Sequence, residues 1–427
     1  MSTGPAKSGR RRSRRSRRDR QHQASHAAES ALADIPQHDL VPGDPATLVS
    51  DPAGMQEVLE HVSGHTEVAF DTEFIGEETY YPRLCLIQVG TRDRVFLVDP
   101  FEFEDLTPLL SLLASPDRTT LVHAGRQDLQ IMTRLLGQPP RCVVDTQILA
   151  GMANLPWPCS LTKSVQCAID APLPPGMTFT AWDARPLSRR QCRYAADDVR
   201  YLPLLHAFLA DRVESLGHTA RAAASFACFE EAAWHVNDLE SQARKIAGSR
   251  RFRPVERRIL ASLVTLRDAV ARDTDRPPRG VLPDNVLLGV TRGRPESIEA
   301  LSRVKGIPRP LVARRGEAIL DAITAAREAT DQPVPAQPRE ERPADRVAID
   351  GLWHGFCASA ISAGISPGLV LSRAELANWY LTGAEDVPGR APWQREIIRS
   401  LLNPLLEEGR TLQVVWREGT LQPPDEE

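Results

Sequence analysis

The stretch Val68-Ala69-Phe70-Asp71-Thr72-Glu73-Phe74 decides how the rest of the chain is read. Apolar residues run into two carboxylates spaced i, i+2. In an extended strand alternate side chains share a face, so Asp71 and Glu73 project side by side. Two carboxylates a few ångströms apart repel each other and coexist only with a proton, a cationic partner or a metal ion. Taken alone, an Asp-x-Glu pair is more often the start of a solvated loop than a site. The reading turns on whether other carboxylates converge on the same place.

At 427 residues the chain exceeds one ordinary core and implies two or three domains. Its composition, 42% hydrophobic and 25% charged, is that of a soluble globular protein. No apolar run nears the roughly 18–20 residues of a membrane span. Met1–Gln21 lacks the apolar segment of a secretory signal. Seven cysteines without a Cys-x-x-Cys pair read as reduced thiols in a cytoplasmic protein and argue against zinc. The net charge of −4 is uneven. Lys7 and eight arginines against Asp19 give residues 1–20 about +8, which leaves about −12 for residues 21–427. The Arg10–Arg20 run cannot bury enough apolar surface to fold and is expected to be disordered. It either grips a polyphosphate backbone or is simply solvated.

Periodicity sets the organisation. After a linker over 21–50, the pattern predicts a helix at 51–63 and strands at 67–71, 84–89 and 95–98, joined tightly enough to pair antiparallel. A helix at 106–113, a strand at 120–123, a helix at 126–136, a strand at 142–145 and a helix at 146–153 follow. That order describes a mixed α/β sheet. A proline-rich stretch at 154–182 contains one helix, 160–169. Ser188 caps the next helix, which Pro203 is expected to kink before a long helical run over 204–246. Shorter helices fill 255–326, a proline-rich linker covers 329–346, and further helices occupy 347–363, 372–381 and 393–409. Ser372 and Glu375 stand in capping-box spacing.

Two more acidic positions matter. Asp128 falls in the first turn or two of the helix that follows the 120–123 strand. Tyr194 and Asp198, at i, i+4, share one helix face. Asp197 is rotated about 100° from Asp198 and reads as solvated or capping. Asp145 reads as a strand-end residue beside the next helix start. Four carboxylates drawn from a strand and two helices require cations, and an all-oxygen set suits Mg2+ or Mn2+. Two such ions roughly 4 Å apart are a device for phosphodiester cleavage. A phenol titrating near pH 10 is a weak base at neutrality, so Tyr194 suits the orientation of an attacking water.

These residues resemble a known family. Asp71-Thr72-Glu73-Phe74 with Thr79-Tyr80-Tyr81-Pro82-Arg83-Leu84-Cys85-Leu86-Ile87-Gln88 is similar to the first exonuclease motif of ribonuclease D. His123-Ala124-Gly125 with Asp128, then Asp145-Thr146-Gln147, resembles the second. Trp182, Arg185-Pro186-Leu187 and Tyr194-x-x-x-Asp198 resemble the third. Together they are the signature of the DEDDy 3′–5′ exonucleases, which implies a ribonuclease H-like α/β domain over about 45–215. The resemblance implies Asp71, Glu73, Asp128 and Asp198 as ligands of two divalent ions, Tyr194 as the catalytic residue orienting water, and His123 and Phe74 as substrate contacts. Residues 254–327 look like an HRDC helical domain, and 347–420 like a second copy. Residues 1–44 are then a tail and linker, 216–253 a helical connector and 328–346 an interdomain linker. The chain departs from the family pattern between Asn154 and Thr178, where the Gly-Tyr before the Ser160 helix and a basic residue near 173–176 are missing. The implied activity is a metal-dependent 3′–5′ exoribonuclease acting on RNA 3′ ends, tRNA precursors among them. The alternatives are a DNA exonuclease on single strands, or a catalytically silent nucleic-acid-binding protein. Because the four carboxylates of the implied site all lie before residue 199, the helical modules are expected to be separable.

Overall fold

Six strands form one sheet in the order β1-β4-β3-β2-β5-β6. The computed structural model describes residues 35–170, 180–248, 250–329, 338–384, 387–389, 391–406, 415–417 and 420–422. The arginine run, the expected basic position at 173–176 and the centre of the proline-rich linker lie outside them. Strand β1 (Thr47–Val49) pairs parallel with β4 (Val95–Val98), Thr47 opposite Phe96. This strand falls where a linker was expected, because three residues are too few to show alternation. Helix α1 (Pro52–Ser63) starts where Asp51 accepts a hydrogen bond from the Gly54 amide at 2.8 Å. Strand β2 (Glu67–Ile75) runs four residues past the expected end at Asp71. It continues because it stays paired with β3 (Arg83–Gly90) as far as Ile75 opposite Arg83, with a bulge after Glu73. Both acidic residues therefore stand within a strand rather than a loop.

Strands β5 (Thr119–Val122) and β6 (Val143–Asp145) add in parallel beside β2. Helices α2 (Thr107–Leu113) and α3 (Arg126–Leu136), with α1, cover one face, where Val58, Leu110 and Leu129 meet Val68, Phe70 and Ile87. Helices α4 (Thr146–Met152), α5 (Leu161–Ile169), α6 (Arg189–Arg200) and α7 (Leu202–Ser215) lie at the other, where Leu149, Val199 and Leu205 join Ala69 and Leu121. Pro203 does not kink a helix. It sits in the first turn of α7, where its missing N–H has no role to fill, and the break falls at Tyr201.

The long helix expected over 204–246 is instead broken into α7, α8 (Thr219–Phe226), two 3-10 turns and α9 (Leu239–Ala247). Gly217 at φ +71° turns the chain after α7, and the Asp238 carboxylate caps α9 through the Ser241 amide at 2.8 Å. Helices α10 (Pro254–Asp273), α11 (Pro278–Val281), α12 (Asp284–Gly293), α13 (Ile298–Ser302) and α14 (Arg309–Glu328) close around a core of their own, with Ile259, Leu263, Val290 and Ile323 at its centre. The β2–β3 loop reaches this unit. The Tyr80 hydroxyl donates to the Asp268 carboxylate, with O–O distances of 2.9 and 3.0 Å.

Helices α15 (Pro343–Ser362), α16 (Pro367–Val370), α17 (Arg373–Thr382) and α18 (Pro392–Leu406) precede a hairpin of β7 (Val415–Arg417) and β8 (Thr420–Gln422). Their apolar side chains do not form a separate core. Phe356, Leu369, Ile398 and Leu402 share one buried cluster with Ala69, Leu149 and Leu205 of the sheet domain. The Ser366 amide donates to the Gly151 carbonyl at 2.8 Å, and a Cβ placed on Gly151 would lie 2.9 Å from Leu369. The unit expected to be separable thus shares its core with the sheet domain, α16 lying against α4. Among the described residues no helix is long and apolar enough to cross a membrane.

Candidate active site

Strand β2 outruns its parallel neighbour β5, whose last residue is Val122, so Asp71 and Glu73 stand beyond the carboxyl end of that strand. The α3 turn, starting just there, carries Asp128. Helix α6 crosses above and brings Tyr194 and Asp198. Oxygens of Asp71, Glu73 and Asp198 lie within 4.8 Å of one another. They open into a cleft of about 320 Å³ whose walls add Phe74, His123, Gln127 and Leu161.

Each approach has a local cause. Helix α6 is started by a full capping box between Ser188 and Gln191. It can lie directly on β3 because residue 90 is glycine: a Cβ there would sit 2.9 Å from the Val199 carbonyl. Arg185 fixes the segment before α6. It pairs with Asp99 through two nitrogens, and it donates to the carbonyls of Cys85 at 2.7 Å and Trp182 at 2.8 Å. Helix α3 is set by the Ala124–Gly125 turn, with Ala124 at φ +58°. A side chain at Gly125 would lie 2.6 Å from the Val122 side chain. Asp145 braces that turn, accepting from the amides of Ala124 at 3.0 Å and Gly125 at 3.3 Å while capping α4 through Gln147 at 2.8 Å. As the sequence indicates, it is a strand-end and helix-start residue.

Burial and mutual repulsion raise the carboxyls. Burial first, then the charges of Asp128, Asp198 and Glu73, holds Asp71 well above the usual carboxylate range. Glu73 is pushed up to about 8 by burial and then by Asp198 and Asp128. Asp198 is pushed up to about 8, by burial and then by Asp197. Asp128 is raised as well, chiefly by burial, while Thr72 opposes the rise by hydrogen bonding. The Tyr194 phenol, which donates to Asp198, is held above its ordinary value by burial and by Asp198, Glu73 and Asp71. Without metal, the Tyr194 hydroxyl keeps its proton and serves as a hydrogen-bond donor to Asp198. A half-buried all-carboxylate cluster that resists ionisation in the absence of cations fits the binding of divalent metal ions.

The five principal residues come together, but not equivalently. Asp128 is 7% exposed and stands outside the close group of three; its Oδ1 accepts from the Thr72 amide and hydroxyl. Phe74 follows the bulge and lines the cleft. His123 also lines it, yet both ring nitrogens are engaged: Nε2 donates to the Cys159 carbonyl at 3.0 Å, and Nδ1 is 2.9 Å from the Thr146 hydroxyl. Burial pushes this histidine down to about 4, so it is neutral and offers the cleft its ring rather than a charge. Asp197, expected to be solvated or capping, is neither, for it lies within α6. It is 6% exposed and clamped by Arg193 at 2.7 Å and Arg200 at 3.2 Å, because α6 packs its flank beneath the chain entering β1. Sequence reasoning passed over Thr72, Gln127 and Leu161. Thr72 was legible only as the residue between the two acids.

A 3′–5′ exonuclease family model matches residues 46–214, and an HRDC domain model matches residues 256–323. The chain is 32% identical over 357 residues to ribonuclease D of Gluconacetobacter diazotrophicus, a match covering 82% of this chain and 90% of that protein. It is 28% identical over 370 residues to ribonuclease D of Escherichia coli, covering 84% and 98% respectively. The crystal structure of the Escherichia coli protein, an exoribonuclease involved in structured RNA processing, matches with a TM-score of 0.69 at 27% identity, over 86% of this chain and 100% of that one. With motifs, sheet and relatives agreeing along most of both chains, the chain belongs to the ribonuclease D family of 3′–5′ exoribonucleases.

Proposed function

We propose that this protein shortens RNA from its 3′ end one nucleotide at a time, with two Mg2+ or Mn2+ ions held by Asp71, Glu73, Asp128 and Asp198. The observation that carries the reading is the convergence of the Asp71, Glu73 and Asp198 oxygens within 4.8 Å, with the Tyr194 hydroxyl on Asp198. When bound, the ions supply an activated water and neutralise charge at the scissile phosphodiester. Asp71, Glu73, Asp128 and Asp198, all of which line the cleft, would hold them. Tyr194 holds its proton and orients the water by hydrogen bonding. Phe74, Leu161 and the His123 ring provide an apolar seat for the terminal nucleoside. Tail and HRDC unit extend the grip on the strand, and tRNA precursors are proposed substrates, since the similar Escherichia coli protein processes structured RNA. The free cysteines suit a cytoplasmic location.

End-labelled RNA and DNA strands of matched sequence, incubated with Mg2+, Mn2+ or chelator, test this. Stepwise 3′ shortening of RNA that requires metal, and that disappears in Asp71→Asn, is expected. Hydrolysis persisting in excess chelator would refute the metal assignment, and equal or better cleavage of DNA would refute the substrate.

A further inference from the structure

Gln88 is unusual among the polar residues of the sheet. It sits on β3, is fully buried, and neither atom of its carboxamide has a hydrogen-bond partner among the described residues. Buried amides are ordinarily paired, so its surroundings matter. In the sheet register Gln88 stands directly opposite Asp71 on β2 and opposite Leu97 on β4. Directly opposed residues of antiparallel strands share a face, with Cβ atoms about 4.5–5.5 Å apart. On its own strand the neighbours on that face are Leu86 and Gly90. Leu86 and Leu97 form an apolar cluster with Ala195 of α6, and Val199 covers Gly90. Within this apolar slot, the cross-strand side chain that can meet the carboxamide is the Asp71 carboxylate.

We propose that Gln88 is a positioning residue for the metal centre: its Nε2–H, unpaired among the described residues, donates to one oxygen of Asp71 when metal binds and leaves the other for the cation. Gln88 carries the donors for this and brings no charge that would compete with the cation. An apolar residue in the slot leaves the Asp71 carboxylate free to rotate. Loss of such an outer hydrogen bond lowers metal affinity by about 10–100-fold. The inference rests on Asp71 being a metal ligand.

The test is Mn2+ binding to metal-stripped full-length protein, followed by calorimetry, for wild type, Gln88→Met and Gln88→Leu. Thermal midpoints in chelator serve as the control for folding. Both variants replace an unpaired buried amide with apolar atoms, so their midpoints in chelator should equal or exceed that of wild type. Their Mn2+ affinity should fall by about 10–100-fold, while KM for RNA at saturating Mn2+ stays unchanged. An affinity within about threefold of wild type in a folded variant overturns the proposal and leaves Gln88 a packing residue. Wild type that binds no Mn2+ would instead overturn the assignment of Asp71 itself. Should neither variant fold, the Gln88 side-chain amide signal of 15N-glutamine-labelled wild type must move on addition of Mg2+, and an unmoved signal overturns the proposal.

Discussion

Thr72 gives two hydrogen bonds to a single oxygen of Asp128: its backbone amide, at 3.1 Å, and its hydroxyl both meet Oδ1. The residue between two acids on β2 thereby fixes a third acid on α3. Asp128 lines the cleft with that oxygen already engaged.

Thr72→Val keeps the shape and the amide but loses the hydroxyl. Asp128 then swings more freely, and kcat should drop by about 10-fold or more. Stability should fall by about 1–3 kcal/mol, the effect of leaving a buried acceptor short of a donor. Thr72→Ser restores the hydroxyl and should recover most of the rate. A valine variant as fast as wild type would show that the hydroxyl does not position Asp128.

Tyr194→Phe preserves the ring that lies 6.2 Å from Trp182 and removes the hydroxyl. Turnover should slow by roughly 100-fold or more, with metal affinity little altered. Because the phenol is held above its usual range, the wild-type rate should show no tyrosine limb below about pH 10. A rate equal to wild type would remove Tyr194 from the reaction.

Glu73 and Asp198 both titrate near 8 in the folded metal-free protein, far above ordinary carboxyls. Their raised values mean that the folded state holds protons the unfolded chain has released. Their stabilisation is complete below about pH 4 and is lost as pH rises through about 8. In chelator the thermal midpoint should therefore decline across that window, each carboxyl contributing up to about 1.4 kcal/mol per pH unit. Added Mn2+ should raise the midpoint most at the alkaline end, because ligands must lose protons to bind metal. A midpoint in chelator that rises from pH 5 to 8 would contradict the clustering.

Removing residues 338–427 should lower the thermal midpoint of the remaining chain and expose the apolar side chains that Phe356, Leu369 and Ile398 cover. A milder probe is Gly151→Ala, whose new Cβ would crowd Leu369 at 2.9 Å and should destabilise by about 1–3 kcal/mol. An unchanged midpoint after truncation would mean that the shared core contributes no stability.

The residues that gather in the cleft were legible in the sequence because each part of the site is local. Asp71 and Glu73 share a strand face by a period of two, and Tyr194 and Asp198 share a helix face by a spacing of four. The helix start at Ser188 was marked by its cap residue. What joins those parts was not legible, because nothing periodic announces a contact between distant positions. Thr72 and Asp128 are 56 residues apart, and Arg185 and Asp99 are 86 apart. Asp197 looked solvated from its own helix alone. Its burial depends on Arg200, which reaches the Pro42 and Asp44 carbonyls more than 150 positions earlier. The same limit applied to the last helical unit, whose amphipathic pattern shows that an apolar face exists but not which surface covers it. In this protein the sequence determined which carboxyls and which phenol could gather to face a cation. Only the tertiary structure decided which oxygens remain free to do so, because hydrogen bonds and burial between distant segments set the direction of each carboxylate.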